Sequence, residues 1–553
     1  MPKFISLKFF HLRLICFPGV HRRAAAATAA LALLTGCELA KTLPDISMFE
    51  PTSYVGGVMS DEPRATLVAR EVLAAGGSAA DAAVALYFTL AVTYPSTASL
   101  GGGGLCLVYS PDKKNGDTTE LIEFNTLPAE TGSTEPRRPN AVPGNVRGMY
   151  ALQARYGRLS WSSLLAPAEA YASFGHQVSR ALARDIRLAG PSLFADSEMR
   201  KIFLNNDGSP ISEGQRVFQL DLGAVISQLR IKGAGAFYGG WVAKALSTGA
   251  ARVDGALTIE ELRAFTPTWR GSVSLPFGNL VFHTAPSPAA GGLTAAAMFH
   301  LLADNDRYLG TPADERVHLF AEVSKRAFAD RQAWIDGENF AALESNRLQS
   351  TMASYNPDQA SAPEELSQMP KRRLENPAAT SFVTIDRRGL TVSCAVTLNN
   401  LFGTGRVVPG TGILLAASPA APGNTATSLS PIVLVNHNTH QLFFAAGSVG
   451  GAAAPSALAS VMRGLLLDGL PLREAMSAPR LHHGGIPDIV LIEPDFGAVL
   501  RDSLSQRGHQ LAKVLEIGRV NAIHCPGGSP RSPETCVFVT DRRGFGLASG
   551  GIL

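Results

Sequence analysis

The sequence predicts a mixed α/β (α+β) protein in which helices cover antiparallel hairpins. Apolar residues at helical spacing prevail over much of residues 63–300, whereas alternating apolar residues prevail after residue 379. A polar segment between these two parts follows neither pattern. Strands joined by short turns pair antiparallel, and every apolar sheet face must be covered by another layer. With 553 residues, the chain has room for three or four domains or for one large two-layer enzyme.

The first predicted elements are two helices and a strand. The run RATLVAREVLAAGG has helical spacing and stops at Gly76 and Gly77, as expected at a helix C-terminus. Ser78 then caps a helix, AADAAVALYFTLAVTYP, that is apolar on nearly every side and must therefore be buried. The next run, SLGGGGLCLVYS, leads into a strand. It lacks the Lys-Ser/Thr of a phosphate loop, which argues against nucleotide binding.

The middle of the chain predicts one more strand and then helices. TELIEFNTLP predicts the strand, and residues from about 143 to 300 predict helices joined by Gly/Pro turns. From Glu344 to Ala379 the sequence is polar, contains prolines and is poor in branched aliphatic residues. This composition predicts an exposed linker.

After the linker the pattern is that of a β-rich part. TSFVTIDRRGLTVSCAVTL contains two alternating runs around Arg387-Arg388-Gly389, which predicts a hairpin. PIVLVN and LFFAAGS predict two further strands, and GGAAAPSALASVMRGLLLDG predicts a helix that ends at Gly469. The last predicted strands are TCVFVTD and GFGLASGG.

The N-terminus is typical of an export signal. Basic residues precede the apolar run AAAATAALALLTG, which is too short to span a membrane comfortably. The run ends at LTGC, a pattern similar to the bacterial lipobox, in which the cysteine is lipidated. We therefore expect residues 1–36 to be a lipoprotein-type signal, Cys37 to be the lipidated residue and residues 37–55 to be a linker. The alternative is an ordinary cleaved signal. Either way we expect export to the periplasm or cell envelope.

Charge and cysteine spacing narrow the range of functions. The formal charge is +3, but residues 1–36 carry five positive charges and no negative one, so the remainder is at −2. We therefore expect no nucleic-acid partner. The cysteines show no CxxC spacing, and we expect no metal. Cys525 and Cys536 can close a short loop in an oxidising compartment, whereas Cys106 and Cys394 are predicted to be buried thiols.

Thr380 directly follows the predicted linker and opens a predicted strand. A threonine becomes an effective nucleophile when it is the first residue of a chain, because its own α-amine then serves as the base. Such an enzyme is made as a precursor and cut, and it needs N–H donors for the oxyanion. GSVGG, which ends at Gly450 and Gly451, can supply those donors because glycine lets the backbone approach a substrate closely.

The motifs taken together resemble those of the γ-glutamyltransferase (γ-glutamyltranspeptidase) family of N-terminal nucleophile hydrolases. The landmarks include VLAAGGSAADAAVA, AVPGNVRGM, GAFYGGWVAKAL, TAPSPAAGGLT, FAEVSKRAFADR, TLNNLFGTGRVVPGTGILL, TSLSPIVL, GSVGG and SAPRLHHGG. The resemblance implies a four-layer αββα sandwich of the N-terminal nucleophile hydrolase type. It also implies autocleavage into a large part, 56–379, and a small part, 380–553, and no cofactor. The implied substrate is a γ-glutamyl or other acyl amide, such as glutathione, with water or an amine as acceptor.

The resemblance also implies roles for individual residues. Thr397 and Asn399 match positions that steady the nucleophile and the substrate. Thr427 and Ser428 match a hydroxyl pair that holds the substrate α-carboxylate. Gly450 and Gly451 match the oxyanion donors, with Thr380 as the candidate nucleophile.

Three departures from the family pattern bear on activity. Where the family has Thr-Thr-His-aromatic, this chain has Ala379-Thr380-Ser381-Phe382, and counting back from Asp386 places Ala379 on the nucleophile. A shift of one residue turns a strand side chain to the other face. Thr380 can therefore serve only if the start of the strand slips or bulges after cleavage.

The other two departures concern the substrate head group. The family arginine that pairs with the α-carboxylate is Asn125 here, so the bidentate, charge-assisted hydrogen bonding of a guanidinium to that carboxylate is lost. The acidic residues expected to bind the α-amine are Ala420 and Ala421. Arg406 stands where the family is usually aliphatic. One hypothesis is that it replaces the lost guanidinium, and the alternative is that it is a solvated hairpin arginine.

Two hypotheses about function follow. The first is an exported, autocleaved amidase or acyltransferase that uses Thr380. The second is an uncut, catalytically inactive lipoprotein that keeps the fold as a binding or scaffold module, for which Ala379 is the evidence.

Overall fold

The structure is a computed structural model, and the part of the chain that it describes begins at Tyr54. The described residues are 54–111, 116–130, 139–252, 255–337, 345–362, 366, 375, 378–421 and 426–552. The predicted signal, residues 1–36, and the lipidation site Cys37 lie outside the described residues, as does nearly all of the predicted linker 37–55. Among the described helices none combines the length and the apolar character that a membrane span needs.

The first of two main sheets has seven strands, and every neighbouring pair in it is antiparallel. In spatial order the strands are Leu547–Ile552, Tyr54–Ser60, Ala379–Asp386, Thr391–Thr397, Gly103–Ser110, Thr118–Glu123 and Thr268–Gly271. The strand that contains Ala379 and Thr380 therefore lies inside the sheet and has a partner on each side.

The second main sheet has six strands and is also antiparallel throughout. In spatial order the strands are Val537–Thr540, Arg519–Ser529, Gln441–Val449, Ser430–Asn436, Leu280–Thr284 and Val273–Phe277. The two sheets pack face to face over a cluster of buried apolar residues, and hydrogen bonds from small polar residues cross between them. Ser381 donates a hydrogen bond to the carbonyl of Gly447 at 3.0 Å, and Ser393 donates one to the carbonyl of Ala446 at 2.8 Å.

Helices cover the outer face of each sheet, which gives four layers in the order α, β, β, α. The helices whose buried residues pack with the first sheet are Pro63–Ala74, Ala79–Thr93, Asn145–Tyr156, Trp161–Phe174, Arg180–Ala189, Ser197–Phe203, Leu220–Lys232, Gly235–Tyr238, Gly240–Arg252 and Ile259–Ala264. Those on the second sheet are Gly291–Ala303, Arg307–Gly310, Arg316–Ile335, Ser345–Met352, Ala454–Leu466, Leu472–Ser477 and Ala498–Gln506. The predicted αββα sandwich is confirmed.

Short strands complete the described elements. They pair as Leu127–Pro128 with Ala141–Val142, His176–Gln177 with Arg216–Val217, and Val407–Val408 with Ile413–Leu414. In a further three-stranded sheet, Val490–Ile492 lies between Leu481–His482 and Leu511–Lys513.

The position of the helix Ala79–Thr93 explains why its sequence is apolar on nearly every side. All of its residues are buried, so no face needs polar side chains. Ser78 and Asp81 form a capping box, in which each side chain accepts from the backbone N–H of the other residue. The Asp81 carboxylate also accepts from the backbone N–H of Arg158 at 2.8 Å, which attaches the helix start to the neighbouring loop.

The predicted hairpin after the linker is confirmed. Strands Ala379–Asp386 and Thr391–Thr397 pair in register, and Gly389 takes the positive φ of 85° that the turn requires. The Asp386 carboxylate closes the turn by accepting the backbone N–H groups of Arg388 and Leu390. Every residue of both strands is buried, because helices cover one face and the second sheet covers the other.

Two parts of the sequence prediction are wrong. Residues 143–300 were predicted to be helical, but 268–284 forms three strands, Thr268–Gly271, Val273–Phe277 and Leu280–Thr284. Their alternating β-branched and aromatic residues fit a sheet better than a helix. Part of the predicted exposed linker is packed: Ser345–Met352 is a helix, and Met352 and Ser361 are buried. Arg326 donates to the hydroxyl of Ser361 at 2.9 Å, which fixes this segment.

The cysteines form two disulfides. The pairing of Cys525 with Cys536 is confirmed. The prediction that Cys106 and Cys394 are thiols is wrong, because they stand directly opposite each other in neighbouring strands, with Cα atoms 4.1 Å apart, and are bonded. The two residues are 288 positions apart in sequence. A cut before Thr380 therefore leaves the two parts covalently joined.

Buried histidines make the stability of the fold sensitive to acid. Burial lowers the pKa of His176 from 6.5 to about 4, and its side chain is almost fully enclosed. Burial is also the main cause that lowers the pKa of three other histidines, His283, His300 and His509, to about 4. Between pH 6.5 and 4 the unfolded chain binds protons that the folded chain excludes, so acidification lowers the free energy of unfolding.

We expect the variant His176→Leu to lose less stability on acidification than the wild type. One such histidine contributes at most about 3 kcal/mol to the difference in the free energy of unfolding between pH 6.5 and pH 4. Denaturant titrations at pH 6.5 and 4.5 measure it. Tyr171→Phe is the control, because it keeps both the ring beside His176 and the imidazole itself, and should retain the wild-type dependence. An unchanged dependence in His176→Leu would contradict the assignment.

Candidate active site

A cleft opens at the end of the first sheet where the strand Ala379–Asp386 begins. Its empty volume is about 290 Å³. The residues that line it are Glu375, Ala379, Thr397, Asn399, Ala426, Ser428, Leu429, Val449, Gly450 and Gly451. Five of the residues predicted from the sequence therefore meet at one place: Thr397, Asn399, Ser428, Gly450 and Gly451.

Gly450 and Gly451 form the backbone wall of the cleft. They have φ values of 135° and 61°, which residues other than glycine rarely adopt. A Cβ on Gly450 would also come within 2.5 Å of the Cα of Gly518. A turn of 3-10 helix, Gly451–Ala453, begins at the second glycine, and the helix Ala454–Leu466 follows it. Backbone N–H groups and the positive end of a helix dipole favour a developing oxyanion at this position.

The strand alternation decides which side chain enters the cleft. Ala379 lines the cleft, and Ser381, two residues on, faces the second sheet. Thr380 points the other way: it is fully buried, and its hydroxyl donates to Oδ2 of Asp61 at 2.9 Å. Ala379 pairs with Thr397 and Thr380 pairs with Val396 with no bulge between them. In the uncut chain the cleft thus holds Ala379, and the nucleophile role of Thr380 stays a prediction.

Thr397 and Asn399 are fixed by a chain of hydrogen bonds at the end of the neighbouring strand. The Thr397 hydroxyl donates to the carbonyl of Ala378 at 2.7 Å and accepts from the backbone N–H of Asn399 at 2.9 Å. Asn399, with a positive φ of 62°, donates its side-chain amide to Thr126 and to the carbonyl of Ala417. Its buried Oδ1 has no hydrogen-bond partner among the described residues, so it is available to a donor in the cleft.

A guanidinium reaches the predicted hydroxyl pair from an unexpected direction. Arg331, from the helix Arg316–Ile335, donates from Nη2 to Ser428 Oγ at 2.6 Å and to Thr427 Oγ1 at 3.2 Å. The same nitrogen lies 2.9 Å from the carboxylate of Glu375, to which Thr427 also donates. The side chains of Arg331 and Glu375 are nearly fully buried. The site therefore already holds a carboxylate, supplied by the segment just before Ala379.

The other residues predicted to contact the substrate head group lie outside this cleft lining. Asn125 donates to Glu123 at 3.0 Å. Arg406 lies in the turns between Leu401 and Val407. Ala420 is exposed and Ala421 partly so. None of these is among the described residues that line the cleft, and the binding roles of Asn125 and Arg406 stay predictions.

Sequence reasoning missed Arg331 and Glu375. Arg331 is part of the family landmark FAEVSKRAFADR, whose pattern alone indicates no role for it, and it is 96 positions from Thr427 in sequence. Glu375 belongs to a polar stretch whose composition favours solvent. Only the folded chain shows that they meet.

A second cluster has side chains that can bind metals. Among the described residues, His318, Glu322 and His509 bring potential ligand atoms within 4.8 Å of one another. His318 Nδ1 and His509 Nε2 are 2.8 Å apart and share a hydrogen bond, and Glu322 pairs with Arg326. Burial first, and neighbouring positive groups second, lower the pKa of His509 to about 4. The cluster is thus a neutral hydrogen-bonded pair beside a satisfied carboxylate.

The family of the chain is shown by comparison with known proteins. Residues 65–550 match the family model described as gamma-glutamyltranspeptidase. The match covers most of the chain, and the protein belongs to this enzyme family. The described cleft residues, including Gly450 and Gly451, and the hydroxyl pair Thr427 and Ser428 lie within the matched residues.

The relatives span nearly the same length. The chain is 26% identical over 558 residues to the glutathione hydrolase proenzyme of Escherichia coli (strain K12), covering 92% of this chain and 95% of that protein. It is 28% identical over 549 residues to the glutathione hydrolase proenzyme of Pseudomonas aeruginosa, covering 91% and 95%.

Solved structures show the same fold. Cephalosporin acylase from Bacillus halodurans aligns with a TM-score of 0.76 at 23% identity, covering 92% of this chain and 98% of that one. Helicobacter pylori gamma-glutamyltranspeptidase aligns with a TM-score of 0.51 at 25% identity, covering 58% and 98%.

We expect Glu375→Gln to open the carboxylate site to outside ligands. The neutral amide of the variant does not neutralise the charge of Arg331, so this site becomes available to another carboxylate. Glutarate, a small dicarboxylate, should bind the variant at least about tenfold more tightly than the wild type, because a hydrogen bond to a charged group contributes about 1.5–3 kcal/mol. Isothermal titration calorimetry with glutarate measures the affinity.

The control is Glu375→Gln combined with Arg331→Gln, which removes the guanidinium and should lose the gain. Equal glutarate affinity in wild type and Glu375→Gln would contradict occupation of the site by Glu375.

Proposed function

We propose that the protein is an exported, autocleaved amide hydrolase or acyltransferase of the γ-glutamyl type. Thr380, freed at the start of the small part, attacks the amide carbonyl, and its α-amine serves as the base. The N–H groups of Gly450 and Gly451 stabilise the oxyanion, and water or an amine resolves the acyl-enzyme. One observation carries this proposal: a single cleft joins the two glycines to a carboxylate anchor.

The anchor supports a substrate that carries a carboxylate. Arg331 and Thr427 contact the carboxylate of Glu375, and Arg331 also donates to Ser428. These three groups can hold the carboxylate of a γ-glutamyl amide. Asn399 Oδ1 is the acceptor available for an amino group on the same substrate. Glutathione is the default substrate, in keeping with the names of the relatives. Cleavage before Thr380 makes Glu375 part of a free chain end, which can then leave the anchor.

The nucleophile requires a movement of one residue. In the uncut strand the Thr380 side chain faces Asp61, and the cleft is reached by Ala379. After the cut, Ala379 and its pairing with Thr397 are lost, and the new terminus is free to bulge. Thr380 then enters the place that Ala379 held, where Thr397 can contact it.

Ala379 also favours a second candidate function. If the chain is not cut, the cleft has glycine donors and a carboxylate anchor but no nucleophile, which is suited to binding an acyl amide without turning it over. Such a protein would be an exported binding module.

The cellular location forms part of the proposal. The apolar run that ends at Leu34-Thr35-Gly36-Cys37 supports export and lipidation at Cys37. The two disulfides support an oxidising compartment, since such bonds persist there and are rare in the cytosol.

We expect the purified chain from Cys37 onward to yield two fragments after hours at neutral pH, the smaller one beginning Thr-Ser-Phe. Because Cys106 and Cys394 join the parts, the cut chain should run as one species without reductant and as two after reduction. Intact mass under both conditions and N-terminal sequencing measure this. One uncut chain under reducing conditions would favour the binding module.

We expect Arg331→Gln to raise KM for γ-glutamyl amides by about tenfold to a hundredfold, because a charge-assisted hydrogen bond contributes about 1.5–3 kcal/mol. Arg406→Ala is the matched comparison, since the sequence predicted the same role for Arg406. Steady-state kinetics with glutathione decide between them. A larger effect of Arg406→Ala than of Arg331→Gln would overturn the anchor.

A further inference from the structure

The peptide bond between Ala379 and Thr380 has a polar environment of its own on the side away from the cleft. The Thr380 hydroxyl donates to Asp61 Oδ2 at 2.9 Å, and both residues are buried. Asp61 directly follows the strand Tyr54–Ser60, which pairs with Ala379–Asp386 through Ser60 and Phe382. A carboxylate is thus held against the hydroxyl of the residue whose N-terminal peptide bond must be cut.

The carbonyl of the same bond has a cationic donor. Arg519 donates from Nη2 to the oxygen of Ala379 at 3.3 Å, and it is buried, with 5% of its surface exposed. Its Nε lies 3.9 Å from Asp61 Oδ2 and has no hydrogen-bond partner among the described residues. A positive charge here stabilises negative charge on that oxygen much more than it would in water.

Asn521 fixes the carboxylate. Its Nδ2 donates to Asp61 Oδ1 at 3.0 Å and to the carbonyl of Ser381 at 2.9 Å. Oδ1 is thereby engaged, while Oδ2 faces the Thr380 hydroxyl. Base, nucleophile and oxyanion donor are therefore arranged around one bond, which a chance buried ion pair does not require.

We propose that Asp61 and Arg519 are catalytic residues for self-cleavage of the Ala379–Thr380 bond. Asp61 acts as the general base for the Thr380 hydroxyl, and Arg519 stabilises the oxyanion on the Ala379 carbonyl. This inference rests on the proposed function, which requires Thr380 to become an N-terminus.

The reaction is balanced with water as the other reactant. Asp61 takes the hydroxyl proton while Thr380 Oγ1 forms a bond to the carbonyl carbon of Ala379, and the carbonyl electron pair moves to the oxygen beside Arg519. The C–N bond then breaks, the nitrogen receives the proton from Asp61, and an ester links Ala379 to Thr380 Oγ1. Water from the cleft hydrolyses the ester, which leaves the Ala379 carboxylate and a free Thr380 amine and hydroxyl.

This arrangement gives the Thr380 side chain one position for processing and another for turnover. Before the cut, Thr380 faces Asp61, away from the cleft. After the cut, the released end can turn into the cleft. The one-residue offset that places Ala379 in the cleft is then what presents Thr380 to its processing base.

The test compares cleavage rates of the wild type, Asp61→Asn and Arg519→Met by intact mass after reduction. General-base catalysis contributes typically 10²–10⁴-fold, so Asp61→Asn should slow cleavage by about a hundredfold or more. Arg519→Met should slow it by about 10²–10³-fold. Hydroxylamine should trap the ester in the wild type as a hydroxamate on Ala379, and the yield should fall in Asp61→Asn.

Asp185→Asn is the matched control, because it removes a buried carboxylate near Arg519 that contacts Ser96 rather than Thr380. It should cleave at the wild-type rate. A thermal melt and glutarate titration in the Glu375→Gln background report on whether each variant is folded.

Thr380→Cys separates catalysis from structural support. A thiol ionises more readily than a hydroxyl, so Asp61→Asn should slow the cysteine chain much less than the threonine chain. A purely structural role would slow both equally and would overturn the inference. Cleavage of Asp61→Asn at the wild-type rate would overturn it while leaving the proposed function intact. A wild type that stays uncut would overturn the proposed function and this inference together.

Discussion

The register of the strand Ala379–Asp386 is the constraint on which the site depends. The strand pairs without a bulge with Thr391–Thr397 on one side and with Tyr54–Ser60 on the other. Both of its faces are covered, so each residue has a fixed direction. A slip of one residue inside the sheet would move every side chain to the opposite layer. Ala379 therefore belongs to the cleft and Thr380 to the helix side as long as the strand is intact.

The two faces of this strand carry different chemistry. The cleft side offers glycine N–H groups and a cationic anchor, and suits a ligand with a carbonyl and a carboxylate. Beside the bond before Thr380, Asp61 contacts the side chain that faces the helices, and Arg519 reaches the Ala379 carbonyl from a strand of the second sheet. Because that bond is in a strand end rather than its middle, breaking it costs little of the sheet. The hairpin with Thr391–Thr397 continues as far as Ile385.

Electrostatic balance explains why Glu375 lies where it does. Arg331 is nearly enclosed, and a guanidinium in such a place needs a negative partner. Arg331 supplies this positive charge from a helix that packs on the second sheet. The disulfide between Cys106 and Cys394 joins residues on either side of Thr380 in sequence.

The sequence by itself predicted helices covering antiparallel hairpins, because apolar periodicity is a local property of the chain. The four layers and five of the cleft residues followed from its resemblance to the family. It also showed that Ala379 aligns with the nucleophile. It missed the strands of residues 268–284, the packing of Ser345–Met352 and the Cys106–Cys394 bond, since those depend on partners far away in sequence. Only the tertiary structure decided that Arg331 and Glu375 share the anchor and that Asp61 faces Thr380. These contacts join residues from separate elements. The distances between those residues are set by tertiary packing and not by the local sequence pattern.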